Sequence, residues 1–454
     1  MTSKIKFQKL DEIADIIDSL HKTPKYVENG IPMVRCVDLN YGELSLADTK
    51  KVSEETYLQY SKKYKPAIDD IIITRVGAYY GDTSYVNENM FCLGQNTASI
   101  IPYENKRYIY YFLNSKLGRE QMAMAVAGAA QPTLSLKAIR NLEVPRLGGS
   151  TERWITNILS CLDDKIAINN KVCKTLEQIA QAIFKSWFVD FEPTKAKIAA
   201  REALLTENPA ATPEQIATAE QQAAIQAIAG AGDIIPTEQL QTIAGLFPNQ
   251  LVDSELGEIP YGWEIKALDQ IAHYQNGLAL QKFRPENGED FLPVLKIAQL
   301  KAGFADGKEV AKATIKKECI VDNSDVIFSW SGSLVVDIWC GGKVALNQHL
   351  FKVTSDTYPK WFYYKWTKYH LEKFQQIAAD KAVTMGHIKR SHLSEAKCLI
   401  PTSELLNNKC ISSLINKQVQ VRLESKVLSE VRDSLLPRLL TGEFSLGEED
   451  SDYE

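Results

Sequence analysis

The chain repeats itself, and this repeat constrains the fold more than any other feature of the sequence. Residues 70–77, DIIITRVG, are matched by residues 325–332, DVIFSWSG, and RYIYYFLNSK in the first half is echoed by KWFYYKWTKY in the second. The offset between matched residues stays near 251 to 261. A period this long in a chain of 454 residues predicts two similar folding units rather than one continuous core.

Each repeat begins with a β-rich module. Residues 1–150 alternate short β-like runs, such as IPMVRCVDL, with turns, and residues 256–403 follow the same order. Both modules carry a slight basic excess, +2 and +3, while acidic residues gather in residues 196–255 and in the tail from residue 441. The net charge of −5 therefore excludes neither a nucleic-acid partner nor a neutral one.

A long helix follows each module. Residues 155–191 lack Gly and Pro, and the roughly 36 residues from Glu152 to Trp187 would span about 54 Å in one helix. Residues 412–440 repeat the pattern, so the two helices are predicted to pair antiparallel. Asn169 lies in the seam and is predicted to fix its register. The predicted seam positions are Ile155, Ile158, Leu162, Asn169, Val172, Leu176, Ile179, Ile183, Leu414, Val421, Leu428 and Leu435.

These patterns predict an α+β protein in six segments. They are a first module (1–150), a first spacer helix (151–195), a polar Ala/Gln-rich insertion and linker (196–255), a second module (256–403), a second spacer helix (404–440) and an acidic tail (441–454). A short helix is expected within AEQQAAIQAIAGAG. No apolar run approaches the ~20 residues that cross a bilayer, so we expect a cytoplasmic protein.

Motifs for catalysis are missing from the sequence. It has no G-x-x-x-x-G-K-[ST] loop, no G-x-G-x-x-G, no G-x-S-x-G, and no Asn-Pro-Pro-aromatic or Asp-Pro-Pro-aromatic tetrapeptide. Its eight cysteines form no CxxC pair and are interpreted as reduced thiols rather than zinc ligands. The pair Asp163-Asp164 is expected on the exposed side of the long helix. No metal or cofactor is predicted in this chain.

Several longer motifs resemble the specificity subunit of type I restriction-modification systems. They are LEQIAQAIFKSWFVDFEPTKAK, LFPNQLVDSELGEIPYGWE, DVIFSWSGSL followed by ALNQHLFKV, and LLPRLLTGE, and they occur in the expected order. The resemblance implies a non-catalytic subunit whose two target recognition domains each read one half of an asymmetric, interrupted DNA site. It also implies that the helices fix the gap, and that two modification subunits dock to complete a methyltransferase using S-adenosylmethionine. ATP-dependent, Mg-requiring restriction subunits would add the nuclease.

Reading base edges requires side-chain donors and acceptors on loops that enter the major groove. The loops after the repeated strands supply such residues in both modules. In the first module the candidates are Arg35, Arg75, Tyr79, Gln95, Asn96, Gln131, Thr133, Ser135 and Lys137. In the second module they are Lys282, Arg284, Lys296, Ser331, Ser333, Gln348, His349, Thr384, His387, Lys389 and Arg390.

Alternatives remain open for several of these residues. Gln95 and Gln348 occupy matching places, which fits base contact or a shared structural role. The basic residues Lys137, Lys389 and Arg390 could contact phosphates or simply be solvated.

The repeat pairs residues 131–134 with residues 382–385, and the loop sequences differ between the halves, which predicts two different half-sites. The aromatic residues in SWFVDF are expected to cap the helix pair against a module, with base stacking as the alternative.

Two other functions compete with the DNA-reading interpretation. A self-sufficient methyltransferase or nuclease is opposed by the missing catalytic motifs. A two-headed protein adaptor that never touches DNA is consistent with the architecture alone. The predicted partners are double-stranded DNA, two modification subunits and restriction subunits.

Overall fold

The protein is described here by a computed structural model that covers residues 5–126, 132–230, 236–380 and 386–444. The chain divides into two compact units. The first is Met1–Ala167 with Val427–Glu454, and the second is Ile168–Lys426. The first unit is therefore discontinuous in sequence, and both long helices contribute residues to each unit.

The first unit is built from short strands and a few helices. Its strands are β1 (Lys6–Lys9), β2 (Ala14–Asp18), β3 (Tyr26–Val27), β4 (Ile31–Val34), β5 (Lys50–Val52), β6 (Ile71–Thr74), β7 (Thr83–Tyr85), β8 (Cys92–Leu93), β9 (Thr97–Pro102) and β10 (Glu143–Arg146). Its helices are α1 (Leu10–Ile13), α2 (Glu54–Tyr60), α3 (Lys106–Asn114), α4 (Lys116–Val126), α5 (Leu136–Arg140) and the start of α6 (Gly149–Phe188).

Two four-stranded sheets form the first module, with orders β2-β9-β6-β7 and β3-β5-β4-β8. The central strand β6 carries Ile71, Ile72 and Ile73, all fully buried, because both of its faces are covered. Leu436, Leu439 and Leu440, from the far end of the chain, belong to the same apolar cluster as Ile155 and Leu159. The module therefore rests on both long helices.

The second unit repeats this construction after a helical segment. Its helices are α7 (Glu192–Glu207), α8 (Pro213–Ala229), α9 (Thr237–Gly245), α10 (Leu268–Ile271), α11 (Ile297–Ala302), α12 (Lys360–Tyr369), α13 (Leu371–Asp380), α14 (Arg390–Glu395), α15 (Ser403–Leu406) and most of α16 (Lys409–Leu440). Its strands are β11 (Leu251–Ser254), β12 (Gly257–Pro260), β13 (Glu264–Ala267), β14 (His273–Asn276), β15 (Phe291–Leu295), β16 (Val310–Lys312), β17 (Ile320–Val321), β18 (Val326–Ser329), β19 (Val336–Ile338), β20 (Val344–Leu346), β21 (Leu350–Thr354) and β22 (Lys397–Ile400).

The sheets of the second module correspond to those of the first. Their orders are β14-β21-β18-β19 and β16-β15-β20-β17, and β15 pairs with β20 in parallel as β4 does with β8. Each module also closes with an antiparallel pair, β1 with β10 and β13 with β22. The predicted α+β class and the internal repeat are confirmed.

The two long helices run antiparallel. In the first unit Asp163 of α6 contacts Arg432 of α16, and in the second unit Asn169 contacts Glu424 and Cys173 contacts Gln418. The residue numbers of the partners on α16 therefore fall as those on α6 rise. The structure differs from the prediction at Val172, which is 37% exposed. Here the neighbouring residue Cys173 contacts Gln418 of α16, so the seam passes through Cys173 rather than Val172.

The other predicted seam residues are buried or half-buried. Ile155, Asn169, Ile183 and Val421 are buried, and Ile158, Leu162, Leu176, Ile179, Leu414, Leu428 and Leu435 are half-buried.

The segment expected to be a polar linker is instead helical. Helices α7, α8 and α9 occupy most of residues 192–245, and Pro193 and Pro213 lie in the first turns of α7 and α8 rather than breaking them. Ile228, Ile243 and Phe247 join the core of the second unit. Proline at a helix start reads in the sequence like a breaker, which is why the linker prediction is wrong.

The aromatic residues at the end of α6 cap the helix against the second module. Trp187 and Phe188 are 1% exposed and Phe191 is 8% exposed. Phe188 lies 5.9 Å from Trp263 and 5.4 Å from Trp361, measured between ring centres. Burial of this depth confirms the capping interpretation over base stacking.

Candidate nucleic-acid interface

Three loops of the first module meet at the end of β6. The amide of Arg75 donates to the carbonyl of Asn96 at 2.8 Å, and the amide of Leu134 donates to the carbonyl of Arg75 at 2.7 Å. The amide of Gly77 donates to Pro132 at 3.0 Å. We call the described residues 75–79, 95–96 and 132–135 the first reader.

The second module brings its loops together with the same hydrogen bonds. The amide of Trp330 donates to His349 at 3.3 Å, that of Ile388 donates to Trp330 at 3.0 Å, and that of Gly332 donates to Gly386 at 2.8 Å. We call residues 330–333, 348–349 and 386–388 the second reader. More than half of the predicted candidates lie in these two readers.

The bonding pattern corrects one part of the predicted alignment. Val76 bridges Thr133 in the first reader, and Ser331 bridges His387 in the second. Thr133 therefore corresponds to His387 and not to Thr384. The predicted alignment is wrong here because the loop before Thr133 is rich in Gly and Ala and shares no side-chain pattern with the loop before His387. Gln131 and Thr384 lie outside the described residues.

Arg75 braces the first reader from within. Its guanidinium forms an ion pair with Asp18 of β2, and its Nε donates to the carbonyl of Leu134 at 3.2 Å. Only 12% of the side chain is exposed. Arg75 therefore holds the loop that enters α5 against the sheet.

Other first-reader residues are more accessible. Tyr79 is 51% exposed. Asn96 adopts a left-handed backbone conformation with φ of 64°, and its carbonyl lies 3.3 Å from the Sγ of Cys36. This contact brings the turn that carries Arg35 against Gln95 and Asn96. Hydrogen bonds to Asp38 at 2.9 and 2.7 Å raise the pKa of Arg35 and hold its guanidinium in place.

The second reader is a polar and aromatic cluster. The Oγ of Ser331 lies 2.9 Å from Nδ1 of His349, and the side-chain nitrogen of Gln348 lies 3.3 Å from Nε2 of the same ring. The Trp330 ring lies between His349, at 5.9 Å, and His387, at 6.5 Å. Its indole N–H donates to the carbonyl of Gln348 at 3.2 Å. These contacts orient the hydrogen-bonding side chains of the cluster.

Two candidates within the readers, Ser135 and Ser333, have different surroundings. Ser135 caps α5 by accepting from the amide of Ala138, and Ser333 is exposed in the turn after β18. Outside the readers, Arg390 donates to the carbonyl of Tyr274 at 3.1 Å, and Lys296 pairs with Glu309. The exposed cations among the candidates are Lys137, Lys282, Arg284, Lys389 and Arg390.

Trp330 and Asp18 each shape a reader, although neither is among the residues predicted from the sequence. Trp330 aligns with Arg75 in the internal repeat, and this alignment is the signal that could have identified it. Asp18 carries no such signal, because its role depends on the pairing of β2 with β9 beside β6.

Chemically, the readers present what recognition of base edges needs. Amide, hydroxyl, imidazole and phenol groups can donate or accept hydrogen bonds, and exposed lysines and arginines nearby suit phosphates. Within the described ranges, no group of three or more His, Cys, Asp or Glu side chains could hold a metal ion.

Comparison with protein families identifies the modules. The model of the type I restriction modification DNA specificity domain matches residues 2–178 and again residues 260–431. The chain belongs to this family. The resemblance drawn from its motifs is confirmed, and each half of this specificity subunit contains one copy of the domain.

Curated relatives of the specificity subunit carry the same designation. The HindI specificity subunit of Haemophilus influenzae is 26% identical over 387 residues, covering 80% of this chain and 82% of that protein. The MjaIX specificity subunit of Methanocaldococcus jannaschii is 22% identical over 459 residues, covering 98% and 93%. Their names agree with the predicted specificity subunit of a type I system.

Solved structures of related subunits also match along nearly the whole chain. The S subunit from M. genitalium covers 97% of both chains with a TM-score of 0.49 and 13% identity. The HsdS subunit from Thermoanaerobacter tengcongensis covers 98% of both with a TM-score of 0.32 and 12% identity.

In the described part of the chain, no helix is both long and apolar enough to cross a membrane.

Proposed function

We propose that the first and second readers each contact one half of an asymmetric, bipartite site in double-stranded DNA. One observation carries the proposal: equivalent backbone hydrogen bonds position different side chains. Asn96 in the first reader corresponds to His349 in the second, and Thr133 corresponds to His387. Because base identity is read by side-chain donors and acceptors, a shared frame with different side chains reads different sequences.

Cations beside the readers serve the phosphate backbone in this proposal. Lys137 is exposed on α5, and Lys389 is exposed just before α14, the corresponding helix of the second module. Contacts of this kind fix the register of a protein on the duplex without reading its sequence. The readers then determine specificity, and the flanking lysines determine position.

The helices α6 and α16 set the number of base pairs between the half-sites. Both helices contribute residues to both units, so each of them is a continuous covalent connection between the two modules. A paired helix is stiff compared with a flexible linker, which makes the gap part of the recognised site.

Catalysis belongs to partner subunits. Two modification subunits would supply adenine methylation with S-adenosylmethionine, and restriction subunits would supply ATP- and Mg-dependent cleavage. The specificity subunit binds none of these cofactors itself and works in the cytoplasm. The absence of catalytic motifs from its sequence supports this division of labour.

Methylation mapping tests the proposed function. In cells carrying this chain and its modification subunit, we expect methylated adenines in one bipartite, asymmetric motif. Gln95→Ala should lower discrimination about tenfold at a base pair of one half only, and Gln348→Ala at a base pair of the other half only. Gln222→Ala, on the exposed face of α8, is the matched control.

Two outcomes would contradict parts of this proposal. If both glutamine variants recognise the wild-type motif with unchanged discrimination, Gln95 and Gln348 do not contact bases. A continuous or palindromic wild-type motif, or no motif at all as for a protein adaptor, would contradict the proposed function itself.

A further inference from the structure

Each module is attached to the long helices through buried and half-buried charged side chains. In the first unit Asp163 of α6 is 7% exposed and accepts three hydrogen bonds. The donors are the hydroxyl of Tyr41 at 3.1 Å, the hydroxyl of Tyr111 at 2.9 Å and the guanidinium of Arg432 at 2.8 Å. The carboxylate expected on the exposed side of the helix is thus the centre of a network. We call these four residues the first joint.

Tyr41 connects its module to both helices at once. Its hydroxyl donates to Asp163 of α6, and the guanidinium carbon of Arg432 of α16 lies 4.2 Å from the centre of its ring. Burial works against the charge of Arg432, but Tyr41 and Asp163 outweigh it and raise its pKa. The module, α6 and α16 are therefore held in one arrangement by directional contacts.

The second unit has a corresponding set, which we call the second joint. Glu177 of α6 accepts from the Nζ of Lys365 at 2.9 Å and from that of Lys368 at 2.7 Å, both on α12. Arg422 of α16 donates two hydrogen bonds to Asp337 of β19, at 3.0 and 2.8 Å. Lys365 has no exposed side-chain surface. As in the first joint, α6 supplies a carboxylate and α16 supplies an arginine.

Such joints differ physically from an apolar contact. Apolar packing is non-directional, so a module held only by apolar contacts could tilt on the helix at a small cost in free energy. A buried ion pair is costly when its geometry fails, because each charge then lacks a partner. Charge-assisted hydrogen bonds are also shorter and stronger than neutral ones. A joint built from them therefore favours one orientation of the module on its helices.

We propose that the two joints are positioning groups that define the gap between the half-sites. By holding each module at one angle on the helices, they restrict the readers to one spacing of base pairs. The inference rests on the proposed function, since it presumes a bipartite site. It assigns gap selectivity to residues outside the readers.

The test measures gap selectivity separately from base recognition. The purified complex of the full chain with its modification subunits is incubated with duplexes that carry the mapped half-sites at the mapped gap and at gaps one base pair shorter and longer. Wild type should favour the mapped gap strongly. Tyr41→Phe, Asp163→Asn and, independently, Asp337→Asn should each reduce that preference about tenfold.

The controls separate orientation from folding and from base reading. Tyr41 is 40% exposed, so losing its hydroxyl opens no core. Asp164→Asn makes the same chemical change as Asp163→Asn on an exposed neighbour and should leave gap preference unchanged. Discrimination within each half-site should stay at the wild-type value in every variant.

The outcomes distinguish this inference from the proposed function. If methylation falls equally at all three gaps, the joints merely stabilise the fold and the inference is overturned. If wild type recognises no gapped site, the proposed function fails and the inference fails with it.

Discussion

His370, at the end of α12, is a buried histidine in the core of the second unit. It is 9% exposed, and its Nε2 lies 2.9 Å from the carbonyl of Lys397, so this nitrogen carries the proton. The ring also stacks on Trp366 at 6.0 Å between centres. Burial lowers the pKa of His370 from 6.5 to about 4. The second unit therefore folds around a neutral imidazole.

Acid should weaken the second unit through this residue. Between pH 6.5 and about 4 the unfolded chain binds a proton that the folded unit excludes, so stability is fully present above pH 6.5 and falls as the pH drops. From pH 7.5 to pH 5 we expect His370 to contribute a loss of about 2 kcal/mol. Urea unfolding, followed by tryptophan fluorescence, measures it, since six of the seven tryptophans lie in this unit.

Comparison of two glutamine variants isolates the effect. His370→Gln keeps an amide donor for Lys397 but cannot titrate, so its stability should depend less on pH than that of wild type. His273→Gln makes the same change at an exposed position and should behave as wild type. An equally steep pH dependence in the His370 variant would show that other groups cause it.

At the scale of elements, the pairing of α6 with α16 contains one buried polar residue. Asn169 is 2% exposed, and its amide donates to Glu424 at 3.2 Å. A polar residue in a helix seam specifies register at a cost in stability. Asn169→Leu should therefore raise the free energy of unfolding by about 1 kcal/mol while loosening the register.

The register can be measured with a native thiol. The Sγ of Cys173 lies 3.7 Å from the carbonyl of Gln418, so Gln418→Cys provides a disulfide-trapping partner. Adding Asn169→Leu should lower the yield of this disulfide. Unchanged yield together with unchanged stability would refute the assigned role of Asn169.

How far the sequence predicts these elements depends on the kind of signal. Strands such as β6 follow from short apolar runs and the helix α6 follows from apolar periodicity, and both signals are local and survive in both repeats. Asp163 shows what periodicity misses. The heptad pattern with α16 places Asp163 on the outward face of α6. In the structure, Tyr41 and Tyr111 of the first module cover it, and both are more than fifty residues away in sequence. The side-chain contacts that build the readers and joints are long-range in this sense.

For the whole molecule, the length of the helix pair is the quantity that the proposed function makes important. Inserting one heptad into both α6 and α16 adds about 10 Å, the rise of about three base pairs. We expect methylation mapping to find a longer gap between unchanged half-sites. Methylation should also weaken, because three base pairs rotate the duplex by about 100°.

A heptad inserted into α6 alone is the matched control. It leaves α16 without a partner for the added residues and should abolish recognition rather than lengthen the gap. If the identity of either half-site changed with helix length, α6 and α16 could not be simple spacers.

The discontinuous first unit also has a consequence for biosynthesis. Leu436, Leu439 and Leu440 complete the apolar cluster that contains Ile155 and Leu159, yet the ribosome makes them roughly 280 residues later. At a synthesis rate of about 5–20 residues per second, the apolar cluster of the first unit lacks these leucines for tens of seconds while the second unit is synthesised. A chain whose synthesis stops before α16 is finished keeps an uncovered apolar face, which chaperones and proteases recognise. Only chains that include the completed α16 can therefore bury the apolar cluster of the first unit.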